Sequence, residues 1–170
     1  MKGAALIMDQ ESKRMVHREG KYLTFSLVRE EYGIGILKVR EIIGMIRITP
    51  IPQTLSFVKG VVNLRGKVIP VVDLRLRFGM EAEDYTERTC IIVVEIHARA
   101  GFLPVGIVVD SVTEVLNIRS ADIEDTPKFG VSLNTDYILG MAKAGGGVKI
   151  LLDIDRILTS NELALLENAA

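Results

Sequence analysis

Short stretches in which apolar and polar residues alternate make up most of the chain, and glycine or proline interrupts them about every ten residues. Tyr22–Val28 has the period of two that is typical of a half-buried strand. Met45–Ile48 is predicted to form another strand, ended by the prolines that follow it. Cys90–Ile96 is apolar on both faces, which indicates a strand buried on both sides. This pattern favours a mainly β fold, either a barrel or a sandwich.

The pattern predicts few helices. Thr54–Lys59 is long enough for a short helix, with Thr54 as its N-cap and Gly60 as the left-handed residue that ends it. Thr159-Ser-Asn-Glu162 has the spacing of a capping box and precedes three leucines. The chain is therefore predicted to end in a helix over about residues 160–168.

One segment of the sequence occurs twice. A shift of eighty positions aligns Val58–Phe78 with Ile138–Leu158 without a gap, and most apolar positions agree. The identical pairs are Gly60 and Gly140, Gly66 and Gly146, Val68 and Val148, and Asp73 and Asp153. Identities together with a shared apolar pattern indicate an internal duplication.

A second similarity extends the repeat to about half of the chain. Val39-x-Glu41-Ile42-Ile43 resembles Val112-x-Glu114-Val115-Leu116. Each segment follows a Gly-Ile pair, at Gly35-Ile36 and at Gly106-Ile107, and these two pairs are taken as equivalent.

The duplication predicts one domain built from two small lobes. We expect a flexible arm over residues 1–19 and a domain over 20–166, with lobe 1 at about 20–85 and lobe 2 at about 88–155. A half of about 70 residues buries little core by itself. The lobes are therefore expected to pack closely and to exchange segments, and their seam is the natural groove.

The two copies of the hairpin differ at the turn. Asn63-Leu64-Arg65 in the first copy corresponds to Lys143-Ala144-Gly145 in the second, so the turn closes without the cation. The Arg65 guanidinium has no evident core partner, and its planar fork suits a carboxylate or carbonyl of a partner. Gly60 and Gly66 are predicted to have a structural role in this hairpin, through a positive φ or a close backbone approach.

Composition and charge exclude several classes of function. The 170 residues carry a net charge of −1 with mixed signs and no basic run, which argues against binding to nucleic acid or anionic lipid. Tryptophan is absent and aromatic residues make up 5%, which argues against a base-stacking surface. A single cysteine suits a reducing compartment, and the apolar run Ala4–Met8 is too short for a signal or a membrane span. We therefore expect a cytoplasmic protein that does not insert into the membrane.

Candidates for catalysis are weak. Cys90 with His17 or His97 resembles a nucleophile pair in composition only, and an inert thiol in an apolar strand is favoured. Gly145–Lys149 lacks the serine or threonine that follows the lysine of a phosphate loop, which favours a plain hairpin turn.

The two aspartates at equivalent repeat positions, Asp73 and Asp153, are predicted to act as turn or cap residues rather than as an acid–base pair. The sequence has no constellation of metal-ligating residues. It therefore predicts no catalytic residue, no cofactor and no metal site.

Several motifs together resemble the CheW-type coupling proteins of bacterial chemotaxis. They are Gly60-Val-Val-Asn-Leu-Arg-Gly66 with Val68–Phe78, the segment Gly35–Ile43 before them and Gly106-Ile-Val-Val-Asp110 after them. The resemblance extends from about Lys21 to Leu166. It implies a mainly β fold of two intertwined five-stranded SH3-like barrels, with short helices and a C-terminal helix. It also implies a non-enzymatic adaptor that joins the cytoplasmic tips of transmembrane chemoreceptors to the regulatory domain of the histidine kinase CheA.

The resemblance also implies site residues. The positions that it places in the receptor-facing region are Val39, Glu41, Arg65, Val112 and Val115. The loop with Glu124 and Phe129 lies near the position of the kinase contact. Each valine has a second interpretation as a core residue of a strand, and Phe129 has one as an aromatic that packs under its own lobe. The adaptor is expected at receptor arrays on the inner face of the membrane.

Two other functions remain open from the sequence alone. One is the excised regulatory domain of a chemotaxis histidine kinase, which shares the fold. The other is an enzyme that binds a small molecule or a peptide.

Overall fold

The computed structural model describes residues 18–99, 101–126 and 136–169. The first six strands are β1 (Gly20–Leu27), β2 (Glu30–Gly35), β3 (Val39–Gly44), β4 (Val58–Leu64), β5 (Lys67–Asp73) and β6 (Cys90–Ala98). The remaining strands are β7 (Gly101–Val109), β8 (Ser111–Ile118), β9 (Ile123–Glu124), β10 (Ile138–Ala144) and β11 (Gly147–Leu152). The α-helices are α1 (Leu74–Arg77) and α2 (Ser160–Ala169), and short 3-10 turns lie at Ile36–Lys38, Ser120–Asp122 and Ile154–Arg156.

The strands form two sheets with the same internal order. The six-stranded sheet runs β8-β1-β2-β11-β10-β9, and the five-stranded sheet runs β3-β6-β7-β5-β4. Each sheet has one parallel contact, β2 with β11 and β7 with β5, and its other neighbours are antiparallel. Each sheet thus takes strands from both halves of the chain. The prediction of a mainly β fold with intertwined barrels is confirmed, and β9 adds a short sixth strand to one sheet.

The internal duplication predicted from the sequence is confirmed by the hairpin registers. In β4–β5 the register shifts between Val58 and Gly60, and in β10–β11 it shifts between Ile138 and Gly140, exactly eighty positions later. The Asp73 amide donates to the Phe57 carbonyl at 2.9 Å, and the equivalent Asp153 amide donates to the Tyr137 carbonyl at 2.8 Å. The two hairpins are therefore copies in backbone as well as in sequence.

The equivalence of the two Gly-Ile pairs was wrong by two residues. Val71 pairs with Gly106 in one sheet, and the equivalent Leu151 pairs with Gly33 in the other. Gly33-Ile34 therefore corresponds to Gly106-Ile107. The physical reason is burial: Ile34 and Ile107 are fully buried on strands, whereas Ile36 lies half-buried in a 3-10 turn.

The core lies mainly between the sheets. One cluster of 21 buried residues takes members from both sheets and from the C-terminal helix, whereas each sheet has a separate cluster of only six or five. Most of the buried apolar area therefore depends on both sheets being in place. This explains why neither half is expected to be stable by itself.

Two local predictions were wrong. Thr54–Lys59 forms turns rather than a helix, because Phe57 and Val58 are 7% exposed and Val58 already pairs with Val72 in β4. Met45–Ile48 is not a strand, because it follows the edge strand β3 and instead packs Met45 and Ile48 against the core of the five-stranded sheet. A single bridge joins the end of this segment, at Thr49, to Val61.

The predicted cap residues are confirmed. The Asp73 side chain accepts from the Arg75 amide at 2.9 Å at the start of α1, and Asp153 accepts from the Asp155 amide at 3.1 Å. Thr159 and Glu162 form the reciprocal bonds of a capping box before α2. Among the described residues, none of the helices has the length and apolar character that a membrane crossing requires.

Candidate partner-binding site

Two of the predicted receptor-facing residues meet in an ion pair. Arg65 lies at the tip of the β4–β5 hairpin, and its guanidinium pairs with the carboxylate of Glu41 on β3. Strands β3 and β4 are the opposite edges of the five-stranded sheet, so this contact joins the two edges. The sheet is therefore curled into a barrel, and the ion pair lies at the mouth of the barrel.

The backbone at the hairpin tip is held in an unusual conformation. Arg65 has φ of 53° and Gly66 has φ of 84°, the positive pair that a tight hairpin turn requires. The Asn63 side chain stabilises the turn by accepting a hydrogen bond from the Gly66 amide at 2.9 Å. A left-handed conformation is unfavourable for a residue with a Cβ. The turn therefore has an arginine at a position where glycine would be less strained.

A cavity of about 330 Å³ lies beside this ion pair. Its lining residues are Arg40, Glu41, Leu64, Arg65, Lys67, Ile69 and Val93. Ile69 and Val93 are buried and form an apolar floor, whereas Arg65 and Lys67 are exposed. An apolar floor with a cationic rim suits an apolar side chain next to an acidic group.

The predicted valines lie on a different face from Glu41. Val39 pairs with Val94, Val112 with Phe25 and Val115 with Leu23, and these partners all belong to the core shared by the sheets. Directly paired residues in a sheet have side chains on the same face. The three valines therefore face the seam between the sheets.

The valines also differ in exposure. Val39 and Val112 are half-buried and pack against the shared core. Each therefore contributes part of its side chain to the core and leaves the rest exposed. Val115 is 50% exposed. Glu41 pairs with Val93 and faces the interior of its own barrel. The candidate site therefore has two parts, an apolar seam and a charged barrel mouth, which meet along strand β3.

Ile42 is a further candidate that the sequence alone did not single out. It pairs with Ile92 of the shared core, is 43% exposed and lies at the repeat position equivalent to Val115. The similarity between the two Val-x-Glu segments contained this signal. Lys67, two residues beyond Arg65, was missed because an exposed lysine after a turn is common in hairpins.

The two residues assigned to the kinase contact have different outcomes. Glu124 lies exposed in β9, next to Met141 of β10, and its carboxylate is 2.6 Å from the Lys143 ammonium. The hydrogen bond to Glu124 raises the pKa of Lys143. Phe129 lies outside the described residues, and so do its neighbours in the loop.

A second, smaller cavity of about 110 Å³ lies near Asp73. The Tyr85 hydroxyl donates to the Asp73 carboxylate at 3.0 Å, and the pKa of Tyr85 is raised, chiefly by burial and then by this carboxylate. Next to them Arg75 makes a two-pronged contact with Asp110. The polar groups of this cavity are thus engaged with one another.

The residues considered for catalysis lie in other surroundings. The Cys90 thiol donates to the Arg88 carbonyl at 3.1 Å, and the His97 ring packs edge-on against Phe102. His17 lies outside the described residues. Within the described ranges there is no group of three or more His, Cys, Asp or Glu residues that could hold a metal ion.

Comparison with known proteins identifies the family. A model of the CheW-like domain matches residues 21–162. The chain belongs to the CheW-like family. It is 44% identical to chemotaxis protein CheW of Klebsiella aerogenes over 88% of each chain, and 32% identical to CheW of Rhizobium meliloti over 91% of this chain and 97% of that one.

The fold supports the same assignment. The crystal structure of scaffolding protein TtCheW from Thermoanaerobacter tengcongensis matches with a TM-score of 0.74 at 35% identity, over 85% of this chain and 95% of that chain. As a CheW-like protein, this chain is a non-enzymatic coupling adaptor of chemotaxis signalling. The two alternative functions are not favoured by these similarities.

Proposed function

We propose that this CheW-like adaptor joins the cytoplasmic tips of chemoreceptors to CheA, and that it binds the receptor along strand β3 and the seam between the sheets. The observation that supports this site is the meeting of Glu41 and Arg65 at the mouth of a cavity. These are two of the positions that the family resemblance assigns to receptor binding. Because they lie far apart in sequence, a shared location at the surface gives the assignment a physical basis.

The apolar part of the site fits one face of a helix. Val39, Ile42, Val112 and Val115 are partly exposed on edge strands and face the seam. A helix that docks in a groove places apolar side chains at three- and four-residue spacing into such a surface. The receptor tip therefore buries an apolar face there, while its polar flank reaches the barrel mouth.

Arg65 supplies the charged contact. Its side chain is 67% exposed, and its ion pair with Glu41 is therefore weak, on the order of 0 to 1 kcal/mol. A carboxylate or carbonyl on the receptor displaces Glu41 at little cost. The left-handed backbone at Arg65 supports this role, because the turn keeps a less favourable residue than glycine.

The kinase binds elsewhere on the adaptor. We assign this contact to Glu124 and to the loop with Phe129, and the partner to the regulatory domain of CheA. Glu124 is exposed and its ion pair with Lys143 is open to solvent, so both side chains are free to exchange partners. The adaptor reaches receptor arrays at the inner face of the membrane through these contacts, without inserting into lipid and without binding nucleic acid.

Charge reversal at Arg65 tests the receptor contact. Arg65→Glu is expected to abolish receptor-dependent stimulation of the kinase in a reconstituted mixture of receptor, adaptor and kinase. Lys21→Glu is the control, because it makes the same charge change at an exposed position of another sheet. The stability of Arg65→Glu is expected to change by no more than roughly 0.5 kcal/mol. Full stimulation by the folded Arg65→Glu protein contradicts the assignment.

Charged substitutions in the seam test the apolar contact. Val115→Asp is expected to weaken receptor association while CheA binding stays nearly unchanged, because Val115 is half exposed. Val39→Asp is expected to do the same with a larger loss of stability, because Val39 packs against the shared core. Pull-down with each partner measures binding, and far-UV circular dichroism checks the fold. If a folded Val115→Asp protein binds receptor normally, the seam is not the docking surface.

A further inference from the structure

The duplicated architecture has a pairing ambiguity. Strands β2 and β7 are equivalent, and so are β5 and β11. The observed parallel contacts are β2 with β11 and β7 with β5. An exchanged arrangement, β2 with β5 and β7 with β11, uses the same ladder geometry. The backbone ladders alone therefore do not distinguish the two arrangements, whereas the side chains differ between them.

An ion pair between a buried lysine and a partly exposed glutamate marks one of the observed contacts. Lys149 on β11 is 5% exposed and pairs with Glu31, its direct partner on β2. The equivalent positions in the other sheet are Ile69 and Pro104, and Ile69 is buried at 4% exposure. One parallel contact is thus ionic at this level, and the other is apolar.

A second pair of contacts has opposite polarity in the two sheets. After β5 and β7, Arg75 makes a two-pronged contact with Asp110. After β11 and β2, Asp155 makes a 2.6 Å contact with Lys38. Arg75 and Asp155 are equivalent in the repeat, and Asp110 and Lys38 lie within one position of equivalence.

These carboxylates are also fixed by backbone amides. Asp110 accepts from the Val28 amide at 2.7 Å, and Asp155 accepts from the His97 amide at 2.9 Å. Val28 directly follows β1, and His97 lies at the equivalent position near the end of β6 in the other sheet. The same bond thus serves both sheets, although the carboxylate comes from a different segment in each.

We propose that these three ion pairs select which hairpin joins which sheet. In the exchanged arrangement Arg75 faces Lys38, Asp155 faces Asp110, and Lys149 is buried against Pro104 without a carboxylate. Each of these contacts is unfavourable, because like charges repel and an unpaired buried charge loses its hydration. The observed arrangement satisfies all three pairs at once. This selection operates whatever partner the adaptor binds.

Disulfide cross-linking measures the pairing directly. In a Cys90→Ser background, Glu30→Cys with Val148→Cys places thiols on neighbouring positions of β2 and β11. Glu30→Cys with Val68→Cys places them on β2 and on the equivalent position of β5. Val148 and Val68 are both about half exposed, at 54% and 51%, so the two probes are matched. After refolding from urea and mild oxidation, only the first pair is expected to cross-link.

The deciding variant makes the two parallel contacts alike. Glu31→Val with Lys149→Ile replaces this ion pair by apolar residues, and replacement of a pair with a buried member commonly leaves the equilibrium stability unchanged or raised. We expect the yield of the disulfide between positions 30 and 68, formed within one chain or between two chains, to rise roughly tenfold over its yield in the parent chain. A second variant, Lys38→Asp with Asp155→Arg, places the cation after the hairpin and the carboxylate opposite it in both sheets. Combined with the first variant, it is expected to raise the yield of the 30–68 disulfide further.

Three outcomes overturn the proposal. One is a cross-link between positions 30 and 68 that stays at the level of the parent chain in both variants and in their combination. Another is an equally strong cross-link in the parent chain, since the ion pairs then select nothing. A loss of stability in urea titration without any 30–68 cross-link also overturns it, because the pairs are then only stabilising contacts.

Discussion

The hairpins β4–β5 and β10–β11 have the same backbone but different tips. Their central residues have nearly the same angles: φ is 53° at Arg65 and 84° at Gly66, and it is 60° at Gly145 and 80° at Gly146. The second tip has three glycines in succession, whereas the first has an arginine that reaches Glu41 across the barrel. The two turns have nearly equal φ values although their residues differ. The twist of the hairpin therefore determines the backbone conformation of the turn. The side chain at its tip is then free for another role.

The hairpins also differ at the start of their first strands. A Cβ added to Gly60 would lie 2.0 Å from the Thr49 carbonyl oxygen, and Gly60 has φ of 142°. A Cβ added to the equivalent Gly140 would lie 2.8 Å from the Glu124 carbonyl oxygen. Both glycines admit a neighbouring segment, but the approach is much closer in the first hairpin.

The largest expected effect separates these two glycines. Gly60→Ala is expected to destabilise the protein by about 3 kcal/mol or more, because the Thr49 backbone must move and the positive φ is strained. Gly140→Ala is expected to cost about 1 to 2 kcal/mol, since its contact is looser. Urea unfolding of both variants measures the difference. Equal costs would mean that the segment around Thr49 moves away freely.

Valine at the second turn position is expected to have a smaller effect. Gly66→Val and Gly146→Val should each destabilise the fold by more than about 1 kcal/mol, because a β-branched residue is strained at positive φ. The added Cβ meets no atom within 4 Å at either position, so strain is the only cost. The two costs are expected to agree within roughly 0.5 kcal/mol. An unchanged melting midpoint for Gly66→Val would show that the turn adapts to a side chain.

Exchange of the tip residues is expected to have the smallest effect on stability. Arg65→Gly should stabilise the fold by roughly 0.5 kcal/mol, because relief of the left-handed strain exceeds the weak ion pair with Glu41. Gly145→Arg should destabilise it by about 1 kcal/mol. Arg65→Gly should also lose receptor-dependent kinase stimulation, whereas Gly145→Arg should retain it. If Arg65→Gly is both less stable and fully active, the arginine acts as a brace of the barrel.

The sequence predicted the strands more reliably than the segments between them. The apolar run Cys90–Ile96 forms a strand that is mostly buried, as predicted. The strand predicted at Tyr22–Val28 is confirmed as β1, but the expected half-burial was wrong, because Tyr22–Phe25 are buried on both faces and include Thr24 at 0% exposure. The helix predicted at Thr54–Lys59 was wrong, because the length of the segment and its cap residue carry no information about distant contacts. The Phe57 carbonyl accepts a hydrogen bond from the Asp73 amide, which is remote in sequence. The candidate site was predictable only through family resemblance and the repeat, since Glu41 and Arg65 share no local pattern.

The sequence by itself determined the mainly β class, the duplication and the turn positions at Gly66 and Gly146. These features follow from periodicity and from φ preferences, which operate over a few residues. Only the tertiary structure decided that β2 pairs with β11, that β7 pairs with β5, and that Arg65 meets Glu41. Parallel pairing joins segments that are distant in sequence, and equivalent strands offer nearly equal ladders. The choice therefore depends on contacts such as Lys149 with Glu31, which exist only after the chain has folded.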